Sequence, residues 1–157
     1  MAADIADIER LVTLGEQERS LLQSHAAPIV LAQRRDDGPQ LPDQLAPGQD
    51  TLGFMLPYSP RHHLLLHDWR KLRPGCPLVM TSGNRSDEPQ CTDNTDAGRR
   101  LGGIADYWLQ HDREIVNRVD DSVVRVDLGR ARLIRRARGF APTPIPLPAG
   151  FEQAPAL

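Results

Sequence analysis

The sequence predicts an α/β protein, and three observations lead to that prediction. Apolar residues recur at helical spacing near residues 4–24 and 60–69. Short runs of apolar and β-branched residues, typical of strands, lie at 29–31 and 122–127. The two kinds of segment alternate along the chain, which is the pattern of an α/β fold.

The first elements in chain order are a helical segment and a strand. We predict helix over residues 4–24, where Leu11 and Val12 belong to one apolar face and Gly15 interrupts the segment. A strand over 29–31 follows, because a proline immediately before it ends helical structure.

A loop and a second helix come next. Residues 36–50 are rich in Asp, Gly, Pro and Gln and are predicted to form a loop, and residues 52–56 are predicted to be extended. Ser59 is suited to cap a helix, with Pro60 at its first position. We expect this helix to end near Trp69.

The stretch Cys76–Asn84 predicts a buried strand that runs into a polar turn. Its apolar residues suit a strand covered on both faces, and Thr81, Ser82 and Asn84 then bring two hydroxyls and an amide to the strand's end. In open α/β sheets, ligands bind at the carboxyl ends of strands. On these residues alone a plain turn is favoured, since Ser, Gly and Asn are ordinary turn formers.

The second half of the chain predicts one more helix, a strand and a hairpin. Asp93, or the threonine before it, caps a helix that ends near Gly102, and residues 107–109 are interpreted as a strand. Strands at 122–127 and 133–134 form a hairpin around a glycine turn. Alternating prolines near the end predict a domain over 1–140 and an extended linker over 141–157.

Composition sets the broad class of the protein. The chain has 157 residues, a length typical of one domain, and a net charge of −2, which gives no global basic field for nucleic acid. Lys71 is its only lysine, and Cys76 and Cys91 form no metal-binding spacing. No leader or membrane-spanning apolar run is present in this sequence, and we expect a cytoplasmic protein with no membrane partner.

Two polar clusters are candidates for binding a nucleotide. Asp120 and Asp121 could hold Mg²⁺ beside a triphosphate, with Ser122 donating to phosphate, or they could cap a turn. Arg135 and Arg136 present planar forks of donors suited to phosphate oxygens, or they form a solvated basic edge. Such a cluster could also contact RNA phosphates, although no aromatic platform accompanies it.

Three segments in the right order resemble a known family. They are LGFMLPYSPRHHLLLHD at 52–68, PLVMTSGNRSDEP at 77–89 and NRVDDSVVRV at 117–126. With them the chain resembles the YrdC/Sua5-like family, and within it the HypF branch of hydrogenase-maturation carbamoyltransferases, from about residue 28 to 148. The resemblance implies a partial YrdC/Sua5-like domain, built on a twisted open mixed sheet with flanking helices.

The resemblance also implies a reaction. In this branch ATP, expected with Mg²⁺, and carbamate or carbamoyl phosphate give carbamoyl-AMP, and the carbamoyl group passes to a C-terminal cysteine of a HypE-like partner. Family analogy adds the possibility of binding RNA, including double-stranded RNA. Two alternatives stay open: a threonylcarbamoyl-adenylate synthase of tRNA modification, and a non-catalytic RNA-binding or scaffold module.

The resemblance implies roles for individual residues of the site. The family's Ser-x-Asn falls on Ser82 and Asn84, which with the adjacent Thr81 are expected to bind the nucleotide, and its later nucleotide-binding serine falls on Ser122. Its arginine after the last strand falls on Arg135 or Arg136, and the role of the two aspartates is left open. No catalytic residue is assigned.

The sequence departs from the family pattern in two ways. The residues after Asn84 are Arg85-Ser86-Asp87 where the family usually has Leu-Ser-Gly. The family's ATP-binding lysine and arginine lie on elements before the start of this chain, and Lys71 does not match them. We therefore expect a fragment of a larger enzyme, with doubtful activity by itself.

Overall fold

The computed structural model describes residues 1–146 and 149–150, and it confirms an α/β architecture with a mixed sheet. The helices are α1 (Ile5–Glu9), α2 (Glu16–Gln23), α3 (Pro60–Leu72) and α4 (Asn94–Leu101). The strands are β1 (Val12–Thr13), β2 (Ile29–Arg34), β3 (Thr51–Phe54), β4 (Val123–Asp127) and β5 (Arg130–Arg135), and a 3₁₀ turn spans Asp43–Leu45. The predicted linker at 141–157 lies partly outside the described residues.

The central strand of the sheet is β2, which is paired along both edges. Gln33 pairs with a residue of β1 and with one of β3, and Leu31 pairs with a residue of β3 and with one of β4. Strand β3 therefore occupies one edge of β2, whereas β1 and β4 share the other. The β2–β4 pair is parallel and the remaining pairs are antiparallel, so the sheet is mixed.

The main core lies between helices α1 and α2 and one face of the sheet. Val30 and Ala32 alternate with more exposed residues along β2 and point into this core. Ile8 of α1 and Leu22 of α2 pack against them and are almost fully buried. Burying an aliphatic side chain of this kind contributes about 1.5–3 kcal/mol, so these contacts hold the helices on the sheet.

Helix α3 packs into a second, smaller cluster. Its Leu66 is buried together with Met1 and Met55, and Trp69 and Leu78 pack at the margin. The indole N–H of Trp69 also donates to the Cys76 carbonyl at 2.7 Å. The chain segment after α3 is therefore held beside the N-terminus.

The predicted capping residues are confirmed for both later helices. Ser59 Oγ accepts from the His62 N–H at 3.3 Å, with Pro60 at the first position of α3. Asp93 Oδ1 accepts from the Asp96 N–H at 2.9 Å at the start of α4. A short polar side chain satisfies an otherwise unpaired N–H of the first turn in each case.

The predicted hairpin is also confirmed. Asp127 pairs with Arg130, so that Leu128 and Gly129 alone form the turn between β4 and β5. Their φ angles are 50° and 69°. Two consecutive positive φ angles are the backbone signature of the tight hairpin turn whose twist matches that of the strands.

The prediction that Val12 lies on a helical face was wrong. Helix α1 ends at Glu9, and Val12 begins strand β1. The Leu11 carbonyl accepts from the Arg35 N–H at 2.9 Å, next to the pairing of β1 with β2. Tertiary pairing therefore overrides the weak helical preference of this segment.

The predicted buried strand at 76–80 is not a strand either. The segment has no regular secondary structure, and Val79 is 76% exposed and Met80 is 40% exposed. Within the described residues its only strand-like backbone pairing is with Met1. An apolar run becomes a buried strand only where neighbouring strands and a covering layer are available to it.

The strand expected at 107–109 was wrong for the same physical reason. Tyr107 is 92% exposed and Leu109 is 80% exposed, and the segment has irregular structure. No backbone pairing with another segment is found for 107–109 in the described part of the chain.

No helix among the described residues is both long and apolar enough to cross a membrane.

The N-cap of α1 generates a prediction about pH. Asp4 Oδ1 accepts from the Asp7 N–H at 2.9 Å, and Asp4 Oδ2 accepts from Arg70 at 2.6 Å. The hydrogen bond from Asp7, together with Arg70, lowers the pKa of the Asp4 carboxyl in the folded protein.

We expect Asp4→Ala to lower the free energy of unfolding by about 1 kcal/mol near neutral pH, because the cap is lost. Asp4→Asn keeps the cap acceptor and should lose less. Since the folded pKa is depressed, the charged carboxylate stabilises the protein above its unfolded pKa, and this stabilisation disappears as pH falls through the folded pKa. Urea unfolding across that range should show wild type and Asp4→Ala converging in acid, and a constant difference would contradict the prediction.

Candidate functional site

A polar cavity lies beside the turn that follows residues 76–80. Its volume is about 260 Å³. The lining residues come from two segments, the turn with the loop after it and the approach to β4: Ser82, Asn84, Glu88, Pro89, Gln90, Arg118, Val119 and Asp120. Three of the predicted site residues, Ser82, Asn84 and Asp120, are thus brought together.

Backbone hydrogen bonds close the loop around this cavity. The Cys91 N–H donates to the Gly83 carbonyl at 2.8 Å, and the Glu88 N–H donates to the Arg85 carbonyl at 3.1 Å. Asp87 stands between them with φ of 62°, a left-handed conformation that Asp tolerates better than most residues. Asp87 replaces the glycine of the family pattern at the position where the backbone turns.

Side chains then join the loop to the approach to β4. Gln90 Nε2 donates to Asp120 Oδ1 at 2.8 Å, and Arg118 Nε donates to the Gln90 carbonyl at 2.7 Å. The two walls of the cavity are therefore bound to each other directly. Sequence inspection did not identify Gln90 or Arg118, because nothing local in the sequence shows that residues 90 and 118 meet.

The amide of Asn84 is only half satisfied. Its Nδ2 donates to the Arg85 carbonyl at 2.8 Å. Its Oδ1 is buried and has no hydrogen-bond partner among the described residues. Leaving a buried acceptor unpaired costs about 1–3 kcal/mol, so a rotation of the side chain that brings this oxygen to a ligand's donor would recover that free energy.

The charged side chains that line the cavity differ in whether they are already paired within the protein. Glu88 is bound by Arg100, whose Nη2 lies 2.7 Å from Glu88 Oε2. Hydrogen bonds to Asp96 and to Glu88 raise the pKa of the Arg100 guanidinium, which therefore stays charged. Arg118 makes no ion pair within the described residues, and its two Nη groups are uncommitted. Arg118 is thus the cation offered to an anionic ligand here.

Asp121 belongs to a separate cluster outside the cavity lining. Its Oδ1 accepts from Arg138 Nε at 2.8 Å, and Arg138 Nη2 donates to the Ala27 carbonyl at 2.9 Å. The same guanidinium lies over the Tyr58 ring, 3.5 Å from its centroid. Asp120 and Asp121 therefore face different partners and do not form one paired carboxylate site.

Asp120 and Asp121 supply only some of the ligands that Mg²⁺ needs. No group of three or more His, Cys, Asp or Glu side chains arranged to hold a metal occurs in the part of the chain that the structure describes. Asp121 is committed to Arg138, whereas Asp120 shares one oxygen with Gln90. Mg²⁺ is often held by one or two carboxylates together with phosphates and water, so Asp120 fits as its single protein ligand.

Ser122 is placed inside the protein. It is 0% exposed, its hydroxyl donates to the Arg138 carbonyl at 2.9 Å, and it accepts from the Ala137 N–H at 2.8 Å. Both capacities of the hydroxyl are used to join the start of β4 to the segment after β5. Its contact with a nucleotide stays a prediction.

The remaining predicted residues lie outside the cavity lining. Thr81 is exposed beside it. Arg135 is exposed at the end of β5, and Arg136 donates to the carbonyls of Phe140 and Thr143. The arginine that approaches the aspartates is Arg138, whose N–H donates to the Asp120 carbonyl at 3.1 Å.

A neighbouring glycine provides the sequence signal for Arg138. Gly139 has φ of 88°, and a Cβ there would overlap the Ala26 carbonyl. The backbone at this glycine therefore approaches closely to another part of the chain itself. It lets Arg138 reach the carbonyls of Ala26 and Ala27.

Comparison with known proteins gives a consistent picture. Residues 1–137 match the model of the Sua5/YciO/YrdC family, which is described as "Telomere recombination". The carbamoyltransferase HypF of Rhodobacter capsulatus is 48% identical over 151 residues, which is 96% of this chain and 19% of that protein. The chain thus spans about a fifth of the length of such curated relatives.

Solved structures agree with this match. A crystal structure of full-length HypF in a phosphate- and nucleotide-bound form superposes with a TM-score of 0.81 at 44% identity, covering 92% of this chain and 22% of that one. Sua5 of P. abyssi, complexed with L-threonine, superposes with a TM-score of 0.62 at 18% identity, covering 87% and 38%. The second likeness concerns the fold alone, and together they confirm the expected YrdC/Sua5-like fold.

The two serines should respond differently to truncation. Ser122→Ala removes a buried hydroxyl and leaves its two partners, the Ala137 N–H and the Arg138 carbonyl, unsatisfied. It should lower the free energy of unfolding by about 1–3 kcal/mol. Ser82→Ala, at an exposed position, serves as the control and should change it by no more than about 0.5 kcal/mol. Chemical denaturation measures both, and equal losses would refute the structural role of Ser122.

Proposed function

The chain belongs to the Sua5/YciO/YrdC family, and from that membership we propose that it is the carbamoyl-adenylating part of a HypF-type carbamoyltransferase. The substrates are ATP and carbamate, the latter supplied as such or by hydrolysis of carbamoyl phosphate, which consumes water and releases phosphate. A carbamate oxygen attacks the α-phosphorus, and the bond to the β-phosphate breaks. The products are carbamoyl-AMP and pyrophosphate.

The observation that carries this proposal is the unpaired Oδ1 of Asn84. A carbamoyl group carries an NH₂ donor beside carboxyl oxygens, so it can donate to Asn84 Oδ1 while its oxygens accept from donors nearby. The Ser82 hydroxyl and the free guanidinium nitrogens of Arg118 line the same cavity of about 260 Å³. The cavity is small and polar, as a one-carbon acid requires.

These residues would act by positioning the reactants. Holding the carbamate by Asn84 and Ser82 fixes which oxygen faces the phosphate, and an oriented nucleophile reacts much faster than a free one. Arg118 would offset negative charge that develops in the transition state. Gln90 keeps Asp120 in place and thereby keeps the two walls together.

The nucleotide would extend from this cavity. Thr81, Arg135 and Arg136 are the residues we propose to contact it, and Asp120 would hold Mg²⁺. Ser122, which is buried, would act indirectly by holding the start of β4 against the segment after β5. Mg²⁺ would neutralise phosphate charge when bound. The nucleotide-bound form named for the HypF relative supports a nucleotide substrate.

The partner proposed downstream is a HypE-like maturation protein that accepts the carbamoyl group on a C-terminal cysteine, in the cytoplasm. RNA contact by family analogy is a secondary possibility that no feature of the described surface favours. The threonylcarbamoyl-adenylate alternative is less well supported, since the likeness to Sua5 is at 18% identity and the match to HypF is at 48%.

A chimaera tests the proposal on residues of this chain. The corresponding segment of the R. capsulatus HypF would be replaced by this chain, and we expect ATP-dependent carbamoyl-adenylate formation to persist. In that chimaera Ser82→Ala and Asn84→Ala each lose a hydrogen bond to a charged ligand, worth about 1.5–3 kcal/mol, and should slow the reaction roughly tenfold to a hundredfold.

Asn117→Ala is the matched control, because Asn117 is exposed and lies outside the cavity. Its rate should equal that of the unmodified chimaera. If Asn84→Ala and Asn117→Ala react equally fast, the carbamate-binding role of the cavity is wrong. Pyrophosphate release measures the rate.

The isolated chain should make no carbamoyl-AMP. A triphosphate needs several preorganised cationic groups, whereas the described cavity offers Arg118 beside Glu88 and Asp120. Pyrophosphate release from residues 1–157, given ATP and either carbamate or carbamoyl phosphate, is the measurement. Robust, saturable release would contradict this expectation while supporting adenylation as such.

A further inference from the structure

Arg100 of helix α4 is bound to the loop at residues 85–91, which forms one wall of the polar cavity. Its Nε and Nη2 donate to Glu88 Oε2 at 3.0 and 2.7 Å, and Nη2 also donates to the Pro89 carbonyl at 2.7 Å. Its Nη1 donates to Asp96 Oδ2 at 3.0 Å. All three guanidinium nitrogens are therefore committed, and two of them hold residues that line the cavity.

Asp96 fixes the helix end of this contact. Its N–H donates to the capping oxygen of Asp93 at 2.9 Å, and its Oδ1 accepts from Arg99 Nη2 at 2.8 Å. The planar fork of an arginine that binds several oxygens at once has a fixed direction. The first turn of α4 is thus the anchor against which Arg100 holds the loop.

The contact reaches the opposite wall of the cavity through Gln90. This residue follows Pro89 directly, donates to Asp120 Oδ1 at 2.8 Å and accepts from Arg118 Nε at 2.7 Å through its carbonyl. A movement of Glu88 and Pro89 away from α4 would carry Gln90 with it. The hydrogen bonds that place Asp120 and Arg118 therefore depend on where the loop is held.

Arg100 also changes the charge that the cavity presents. The charged residues of the lining are Glu88 and Asp120, which are negative, and Arg118, which is positive. Two negative charges against one positive charge would repel an anionic acid or a phosphate. The ion pair between Arg100 Nη2 and Glu88 Oε2, 2.7 Å apart, offsets the charge of Glu88. With Arg100 in place, the charges around the cavity sum to zero.

The neighbouring arginine on α4 provides a contrast. The Arg100 side chain is 19% exposed, whereas that of Arg99 is 79% exposed. Arg99 pairs with Asp96 but makes no hydrogen bond to the loop within the described residues. Exposed ion pairs are weakened by water and salt, whereas a less exposed guanidinium with several partners is costly to remove. Arg99 is therefore a matched control for Arg100.

We propose that Arg100 is a positioning residue of the adenylation site, which holds the loop at 85–91 in place and masks the Glu88 carboxylate from anionic substrates. The inference rests on the proposed function, because the substrate that it concerns is carbamate. Arg100 touches neither reactant and acts through Glu88 and Pro89. Its two effects are separable, since the charge acts on substrate binding and the position of the loop acts on the rate.

Hydrogen exchange on the 157-residue chain tests the positional effect. The Glu88 and Cys91 N–H groups each donate to a backbone carbonyl that closes the loop. In Arg100→Ala both amides should exchange at least about tenfold faster, because the loop loses its anchor and opens more often. Arg100→Lys should show a smaller increase, since a single ammonium cannot replace the fork. In Arg99→Ala both amides should exchange as in the wild type.

Kinetics in the R. capsulatus chimaera separate the two effects. Arg100→Ala should raise the KM for carbamate and lower kcat, each by about tenfold, because even a small misplacement of positioned groups slows a reaction. Adding Glu88→Gln to Arg100→Ala removes the unmasked charge, so the KM should return towards its original value while kcat stays low. Arg100→Lys keeps the charge without the fork and should show the same separation. Arg99→Ala should change neither constant.

Three results would overturn the proposal. Equal exchange rates of the two loop amides in Arg100→Ala and Arg99→Ala would remove the positional role. A KM that is unchanged in Arg100→Ala, or that Glu88→Gln does not restore, would remove the masking role. A kcat that Arg100→Lys leaves at the level of the unmodified chimaera would remove the role of the fork. The exchange measurement does not depend on activity, so an inactive unmodified chimaera would count against the proposed function and not against the anchoring of the loop by Arg100.

Discussion

Pairing of β2 along both of its edges is the constraint on which the rest of the structure depends. Strand β3 takes one edge and β1 and β4 take the other, while Val30 and Ala32 bury the face beneath α1 and α2. The Ile29 N–H also donates to the Ser122 carbonyl at 2.8 Å, which fixes the start of β4 beside β2. The residues just before β4, including Asp120, are thereby fixed relative to the sheet. The position of the polar cavity therefore depends on strand β2.

Arg138 connects that sheet to the cavity. It is tied to Asp121, to the carbonyls near Ala27 and to the Tyr58 ring, and its own N–H holds the Asp120 carbonyl. A guanidinium withdrawn from water is tolerated when its donors are satisfied in this way, and removing one partner leaves a costly unpaired charge. The cluster explains why Arg138, although it lies beside Asp120, is not offered to a ligand: all three of its guanidinium nitrogens bind the protein, unlike those of Arg118 in the cavity lining.

The sequence predicted what depends on neighbouring residues and missed what depends on distant ones. The Ser59 cap and the β4–β5 hairpin are local and were predicted correctly. Val79 is as apolar as Val30, yet one is exposed and the other buried, because burial depends on which strands lie alongside. Successive side chains of an extended chain point to opposite sides, which is why Asp120 and Asp121, adjacent in sequence, bind different partners.

The two outer edges of the sheet differ in charge, and this sets a limit on assembly. Strand β5 is exposed throughout and carries Arg130, Arg132 and Arg135, whereas β3 has no charged residue. Charged edges resist pairing with another strand. Edge-to-edge growth of sheets needs two edges that both accept a strand, and the arginines of β5 leave this sheet with at most one such edge, at β3. The arginines of β5 thus act against open-ended fibre growth.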